Sequence, residues 1–326
     1  MDIQVEHQVF TDVDEHAEAL RGWSQRYQQI SSGSFRSALT QLTQGHLTIF
    51  REQFSQRITQ QGMPPAGPVV TLGAVLNTEP SPPAWFQGQP LGVHEFLCVP
   101  GETEFTLHLP PNAKIFGVTL KQSEWERLIP EQMHATFHRV MLRRRISASP
   151  RDYLTLCDLI NCIINRQLAE APACASALDP SSEMERIPAF ITSIIAAAGP
   201  VEHGSNNLTH MVHADIVERC RRIAMCPAEK PVTVADLCRA LKISPRTLEN
   251  SFVAVTGTSP ASYLRSVRLA EVRRRLLDSS EAGSLSIGDA AAQWGFSTIH
   301  FAATYQKQYG ELPSATTRRQ GFLATA

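Results

Sequence analysis

The chain has 326 residues, a formal net charge of −1 and the composition of an ordinary soluble globular protein. Because this length exceeds what a single hydrophobic core usually supports, we expect two domains. The N-terminus lacks the basic start and apolar run of a secretory signal. The longest apolar stretch, 187–201, contains two prolines and is shorter than the roughly 20 residues that span a bilayer. The sequence therefore predicts a cytoplasmic protein without a membrane segment.

The near-zero net charge conceals an uneven distribution. Residues 201–326 contain 15 Lys and Arg against 11 Asp and Glu, whereas residues 1–200 contain 15 against 20. A basic C-terminal third beside an acidic remainder is typical of a DNA-binding domain fused to a second domain.

The first half of the chain has the pattern of a small sheet. Residues 1 to about 35 read as a polar lead-in, helical or irregular. Short runs of strand type then follow, separated by Gly and Pro, at 46–50, 68–76, 94–99, 104–109 and 114–120. Five such runs at close spacing predict an antiparallel sheet or a small β-barrel.

The next segment favours helix and ends in a linker. Residues 123–171 have helical composition, and the Pro- and Ser-rich stretch 172–188 predicts a loop. We predict an α+β N-terminal domain over 1–198, a linker over 199–208 and an all-α DNA-binding domain over 209–320.

A gapless internal repeat dominates the C-terminal third. Residues 233–260 align with residues 286–313 at an offset of 53. Each copy begins with a capping residue followed three positions later by Asp, contains a second Ser cap, and closes on Gly and Pro. The apolar positions of the two copies coincide. Each copy therefore predicts two short helices joined by a tight turn, a helix-turn-helix unit, at about 234–255 and 287–308.

The segment between the copies, 260–280, predicts a long helix that is apolar on two opposite sides. Both apolar sides of such a helix have to be buried. A connector that packs against both helix-turn-helix units would meet this requirement. About 19 helical residues span roughly 28 Å, which is compatible with two readers placed one turn of DNA apart. The cations and capping serines expected to contact the DNA backbone are Ser244, Ser297, Arg265, Arg268, Arg273, Arg274, Arg318 and Arg319. The alternative for the arginines, which the sequence leaves equally open, is a solvated surface position or an ion pair with Glu271 or Asp278.

Two stretches carry a resemblance to a known family: "ISPRTLENSFVAVTGTSPASYLRSVRLAEVRRRL" and "AAAQWGFSTIHFAATYQKQYGELPSATTRR". They resemble the AraC/XylS family of bacterial transcription regulators, whose DNA-binding domain has two helix-turn-helix units joined by a long helix. The resemblance implies double-stranded DNA and RNA polymerase as partners, a small-molecule effector, no cofactor for DNA binding, and an activator role. The implied base-contacting residues are Arg246, Glu249, Asn250, Thr298, Ile299, Ala302 and Ala303.

The implied readout differs between the two units. Arg246 can donate two hydrogen bonds to guanine, and Asn250 can form a bidentate pair with adenine. Glu249 can accept a hydrogen bond from the amino group of cytosine. The second set is nearly apolar, so we expect the first unit to carry most of the sequence discrimination. The second unit also has one residue fewer between Phe296 and Phe301 than is usual in the family, which predicts a tighter turn.

The N-terminal half supports a narrower resemblance. The stretch "GWSQRYQQISSGSFRSALTQLTQGHLTIFREQF" is similar to the branch that includes the regulator of the ethanolamine-utilisation operon. This similarity implies ethanolamine with adenosylcobalamin as the effector. It is compatible with a homodimer formed through residues 1–200. From the residues themselves, Trp85, Phe86 and His94 are candidates for the lining of an effector pocket.

Two other functions were weighed against DNA binding. A β-barrel with His94, Glu95 and His108 raises the possibility of a metal-dependent enzyme, and the helical repeat could instead bind protein. The paired histidines typical of metal-binding barrels are absent, as are GxSxG, phosphate-loop and HExxH motifs, and the seven cysteines form no CxxC pair. The prediction is a protein without a metal site that is not an enzyme.

Overall fold

The structure is a computed structural model. It describes residues 3–76, 82–168, 180–197, 207–225, 231–277 and 286–323, apart from the side chains at 207 and 319–323. Within this part, a sheet-rich N-terminal domain is followed by a helical C-terminal domain.

The N-terminal domain is built on two antiparallel sheets. The larger sheet has the order β1-β3-β4-β11-β6-β9-β12 and the smaller one β2-β5-β10-β7-β8. The strands are β1 (Gln4–Phe10), β2 (Ser24–Gln29), β3 (Ser37–Gln44), β4 (Leu47–Phe54), β5 (Ile58–Met63), β6 (Val69–Leu76), β7 (Trp85–Phe86), β8 (Gln89–Pro90), β9 (Glu95–Pro100), β10 (Phe105–Leu109), β11 (Lys114–Lys121) and β12 (Arg145–Ser147).

The central strands of the larger sheet are buried on both faces. Phe50 and Ile115 lie in a core between the two sheets, whereas Ile49 and Phe116 lie in a second core under the helices. Strands covered twice have near-continuous apolar sequences, as in "VVTLGAVL" of β6. This explains why the sequence marks these strands so clearly.

All five predicted strand runs are confirmed, as β4, β6, β9, β10 and β11. The prediction of a helical or irregular lead-in over 1–35 is wrong, because β1, the helix α1 (Val13–Ala19) and β2 lie there. β1 is an edge strand whose residues are mostly exposed, so it has no period-two apolar pattern. It is a strand because of its seven-residue pairing with β3.

Four helices cover the outer face of the larger sheet. They are α2 (Gln122–Leu128), α3 (His134–Arg143), α4 (Pro150–Gln167) and α5 (Pro180–Ala197). The predicted loop over 172–188 is partly wrong, since α5 begins at Pro180 and contains Pro188. Burial of Ile187, Ile191 and Ile195 in the core under the helices stabilises α5 despite the internal proline. Residues 172–179 lie outside the described residues.

The C-terminal domain contains α6 (Asn207–Met225), α7 (Val234–Leu241), α8 (Pro245–Thr256), α9 (Pro260–Leu277), α10 (Ile287–Gln293), α11 (Thr298–Tyr309) and α12 (Pro313–Leu323). Most of the predicted linker, 199–206, lies outside the described residues, and its last two positions already belong to α6. We call α7 with α8 the first helix pair and α10 with α11 the second helix pair.

The capping signals of the repeat form as the sequence indicates. The Thr233 hydroxyl accepts from the N–H of Asp236, whose carboxylate accepts in return from the Thr233 N–H, a complete capping box. Ser286 caps α10 in the same way at its hydroxyl, through the N–H of Asp289. The second helix of each pair ends on a left-handed glycine, Gly257 or Gly310.

The connector α9 is shared by the cores of both helix pairs. Tyr263 and Val267 pack with the first pair and α6, and Leu269 and Val272 pack with the second pair. The two-sided apolar pattern of this segment is therefore explained by burial on two sides. Among the described residues, no helix is both long enough and apolar enough to cross a membrane.

Two glycines offer a matched test of the packing. Gly117 in β11 lies opposite Phe50 of β4, and a Cβ there would overlap the Phe50 ring, whereas a Cβ on Gly288 of α10 meets only ordinary contacts. We expect Gly117→Ala to lower the free energy of unfolding by about 1–3 kcal/mol. Gly288→Ala should raise it by about 0.5–1 kcal/mol, because alanine favours helix. Urea unfolding of both variants measures this, and equal effects would contradict the packing.

Candidate nucleic-acid interface

The second helix of the first pair presents a polar stripe to solvent. Arg246, Glu249 and Asn250 of α8 are all exposed, and Val253, one turn further on, is also exposed. The opposite side of α8 buries Leu248 and Phe252 completely. The predicted base-contacting residues of this helix therefore lie together on one accessible face, with the helix fixed from behind.

The equivalent face of α11 is accessible but mostly apolar. The exposed residues on this face are Thr298, Ile299, Ala302 and Ala303, and the Ile299 residue is 83% exposed. Gln306 continues the same face and is exposed. Sequence reasoning missed Gln306, although the repeat places it at the position of Val253 and it lies seven residues after Ile299.

The turns within the two helix pairs are similar. Each has a residue with positive φ at the same repeat position, Lys242 in the first and Gly295 in the second. Three residues, 242–244, separate α7 from α8, and four residues, 294–297, separate α10 from α11. The two turns therefore have similar lengths, and a turn tighter than that of the family's usual second unit stays a prediction.

Some of the predicted phosphate contacts are accessible. Ser244 and Ser297 stand at the exposed N-termini of α8 and α11, where backbone N–H groups favour anions. Arg265 and Arg318 are exposed, whereas Arg268 is half-buried and donates to the carbonyl of Val232. The side chain of Arg319 lies outside the described part of the chain.

Two of the predicted phosphate contacts are used elsewhere. Arg273 is 2% exposed, and its guanidinium pairs with Asp12 and, at 2.6 Å, with Glu311. Arg274 pairs with Asp14 at 3.2 Å and with Glu271. Arg273 is enclosed between carboxylates and has no free face for a phosphate in this conformation, because α9 lies against α1. The Arg274 side chain is 21% exposed, and its pairing with Glu271 is the alternative that the sequence analysis left open.

These ion pairs belong to a larger contact between the two domains, which we call the interdomain clamp. It comprises Asp12, Asp14, Gln29, Glu271, Arg273, Arg274, Gln308 and Glu311. The Gln308 amide of α11 donates to the carbonyls of Gln29 and Ser31, and the Gln29 amide donates to the carbonyl of Gln308. The clamp therefore fixes α9 and the C-terminal half of α11 to the N-terminal domain.

Both closing glycines of the repeat touch the N-terminal domain. A Cβ on Gly257 would overlap the guanidinium of Arg57, and a Cβ on Gly310 would overlap Ser34. The C-terminal ends of α8 and α11 thus rest on neighbouring loops of the N-terminal domain. Their N-terminal halves, which carry the candidate base contacts, remain exposed.

The three candidate effector residues do not form a pocket together. Phe86 is fully buried in the core between the sheets. Trp85 is buried against the C-terminal domain, with its ring 5.5 Å from that of His210, and His94 packs on Tyr153. None of the three lines the clefts of about 680, 260 and 350 Å³ that the described residues form.

The residues of the weighed metal site are also dispersed. The Glu95 carboxylate pairs with Arg145 at 2.9 Å, and the His108 ring bonds to the Thr59 hydroxyl at 2.9 Å. Within the described ranges, no three His, Cys, Asp or Glu side chains are grouped as metal ligands.

Comparisons with known proteins agree with this arrangement. A family profile described as a helix-turn-helix domain matches residues 237–319, which include both helix pairs. The XylDLEGF operon transcriptional activator 3 of Pseudomonas putida is 31% identical over 144 residues, 43% of each chain. A probable thc operon regulatory protein of Rhodococcus erythropolis is 33% identical over 96 residues, 29% of each chain. These matches span less than half of the curated relatives' length.

One solved structure is similar to part of the chain. It is a probable AraC family transcriptional regulator from Rhodopseudomonas palustris CGA009, 30% identical, with 32% of this chain and 97% of that chain covered at a TM-score of 0.30. The C-terminal part of the chain thus matches a helix-turn-helix profile, and the chain is similar over part of its length to bacterial operon regulators.

The buried ion pair of the clamp predicts a pH-dependent stability. Burial by itself would raise the pKa of Asp12. The charge of Arg273 and the hydrogen bonds from Arg273 and from the N–H groups of Asp14 and Glu15 lower it by more, so the pKa lies below its usual value. A lowered carboxyl pKa stabilises the fold above the unfolded pKa, near 3.8, and this stabilisation is lost as the pH falls further.

Asp12→Asn keeps the capping oxygen of α1 and removes the charge. We expect the free energy of unfolding at pH 7 to fall by about 3 kcal/mol, as for a broken buried pair. The difference from wild type should begin to shrink below the unfolded pKa, near 3.8, and should continue to shrink as the pH falls through the lower pKa of the folded carboxyl. Asp215→Asn, which removes an exposed partner of Arg219, is the control and should change stability by less than about 1 kcal/mol. A difference that stays constant down to pH 2 would contradict the ion pair.

Proposed function

We propose that this chain is a sequence-specific DNA-binding transcription regulator, and that both helix pairs are helix-turn-helix units joined by α9. The observation that carries the proposal is the exposed stripe Arg246, Glu249 and Asn250 on a helix whose other side is completely buried. A rigid helix with bidentate donors on its free face suits readout in a major groove. We propose domain bounds of 1–198 and 209–320.

The two units have unequal roles in this proposal. The first unit reads bases by hydrogen bonds from α8. The second has Ile299, Ala302 and Ala303 at the matching positions and can contact thymine methyl groups, with Thr298 and Gln306 adding polar contacts. The connector α9 has 18 residues and spans about 27 Å, which suits two readers on one face of the duplex.

The interdomain clamp supports effector control of this binding. It holds Arg273 and Arg274 against carboxylates of α1, so they can neutralise phosphates only after the clamp opens. We propose that an effector binding to the N-terminal domain shifts the balance between clamped and open states. The relatives named as operon activators support an activator role, with RNA polymerase as a partner.

The identity of the effector is the least constrained part. From the sequence resemblance to the ethanolamine-operon branch, we propose ethanolamine with adenosylcobalamin as the effector. One cleft among the described residues measures about 680 Å³, a size that suits a drug-sized ligand. A homodimer through residues 1–200 remains part of the proposal. A helical protein-interaction module is the alternative function, and DNA binding distinguishes the two.

DNA binding should be strongly dependent on salt. We expect the full chain to retard its operator duplex, with the affinity falling about tenfold or more between about 50 and 200 mM salt, because phosphate contacts release counterions. Mobility-shift titrations at several salt concentrations measure the slope. Failure to retard any duplex at the lowest salt would overturn the proposal in favour of a protein-interaction module.

Alanine substitutions on the two faces test the unequal roles. Arg246→Ala and Asn250→Ala should each relax discrimination at one base position by about 1–3 kcal/mol, whereas Thr298→Ala should cost less. Binding to a library of single-base operator variants measures the discrimination. Lys307→Ala, an exposed change on another side of α11, is the control and should leave base preference unchanged. Equal losses at Arg246 and Thr298 would show that the second unit reads bases as strongly as the first.

A further inference from the structure

A continuous cleft runs between the smaller sheet and the C-terminal domain. Its larger part, about 680 Å³, lies over β2, β5 and β10, and a smaller part of about 260 Å³ reaches α6 and α9. The two parts share Gln61, Gln87, Thr106, Glu218 and Arg221. A molecule bound here would contact both domains at once.

The charged residues that line the cleft are three arginines and three carboxylates: Arg26, Arg144, Arg221, Glu104, Asp215 and Glu218. Arg221 forms a bidentate pair with Glu218, at 2.8 and 2.9 Å. Arg144 donates to the carbonyl of Glu104 and has no carboxylate within ion-pair distance among the described residues, while Arg26 has only Glu271, at 3.7 Å. Arg144 and Arg26 are therefore the two guanidinium groups of the cleft without a close carboxylate, and a guanidinium group is well suited to bind a carboxylate or phosphate.

A buried hydroxyl in the cleft wall has no partner. The Tyr263 side chain lines the smaller part, is 0% exposed, and its OH has no hydrogen-bond partner in the described structure. Leaving a buried polar group unpaired costs free energy, so such groups usually meet a ligand or water. Burial raises the pKa of Tyr263, which keeps the hydroxyl protonated as a donor.

Nearby groups add further polar contacts. The Nδ1 of His108 bonds to Thr59, and Nε2 is the ring nitrogen left for a ligand. Burial lowers the pKa of His108 to about 4, so the ring is neutral at pH 7.

We propose that this cleft is the effector site and that it binds a small organic anion, a carboxylate or phosphate, held by Arg26 and Arg144 with the Tyr263 hydroxyl as a further donor. The proposal rests on the effector control put forward above. It also supplies the coupling, because Glu271 contacts both Arg26 and Arg274, and Arg274 contacts Asp14. An anion that draws Arg26 away from Glu271 alters the charge balance of the interdomain clamp.

The test is a thermal-unfolding screen of the full chain. The probes are succinate, citrate and inorganic phosphate at about 10 mM, each compared with chloride at equal ionic strength, with ethanolamine as a separate arm. We expect at least one anion to raise the unfolding midpoint of the wild type by roughly 2 °C or more, because a ligand that binds only the folded state stabilises it.

Three variants make the result specific. The rise should be lost in Arg144→Gln, which removes the charge, and reduced in Tyr263→Phe, which removes only the unpartnered hydroxyl. Without ligand, Tyr263→Phe should be at least as stable as wild type, since no hydrogen bond is broken. Arg143→Gln changes an exposed neighbour outside the cleft and should keep the full rise.

Three outcomes would overturn the site: no rise with any of the anions, a rise that persists in both Arg144→Gln and Tyr263→Phe, or a rise with ethanolamine alone. The screen contains no DNA. Failure of this site is therefore distinguishable from failure of the DNA-binding function, which the duplex titrations measure on the same preparations.

Discussion

The buried guanidinium of Arg273 constrains the arrangement of the two domains. Arg273 is 2% exposed, and a charge buried this deeply destabilises the fold unless carboxylates pair with it. Its partners are Asp12, the N-cap of α1, and Glu311, which follows α11. The pair joins residues 261 positions apart in sequence. Because Arg273 also packs over the Tyr309 ring at 4.7 Å, the same side chain holds α9, α11 and α1 together.

The repeat shows how two equivalent units come to do different work. Their caps, left-handed turns and closing glycines coincide at the offset of 53, and each places its second helix against α9. What differs is the outer face, polar in α8 and mostly apolar in α11. The C-terminal half of α11 contacts the N-terminal domain through Gln308, so the second pair combines a mostly apolar outer face with a direct contact to that domain.

The local signals of the sequence predict the helical repeat and the twice-buried strands well. Capping residues act within four positions, and strands such as β6 have apolar side chains on both faces. The edge strand β1 and the helix α5 through Pro188 were missed, since each is stabilised by tertiary contacts that have no local pattern. The comparison with known proteins matches a helix-turn-helix profile to residues 237–319.

The candidate site also has a part that the local sequence pattern predicts and a part that depends on tertiary contacts. The exposed face of α8 follows from helical period alone, and the structure places it as predicted. The contacts of Arg273 and Arg274 do not follow from the helical period. The sequence pattern of a helix is the same whether its arginines contact a phosphate or an aspartate. The interdomain cleft was likewise invisible, since Arg26, Arg144 and Tyr263 are far apart along the chain.

The central claim is that the clamp withholds DNA contacts until it opens. The most direct measurement is the duplex affinity of a variant combining Asp12→Asn with Asp14→Asn, compared with wild type over a range of salt concentrations at a temperature where both are folded. The account predicts tighter binding and a salt slope steeper by about one for each arginine released to a phosphate. Unchanged or weaker binding with an unchanged slope would contradict it.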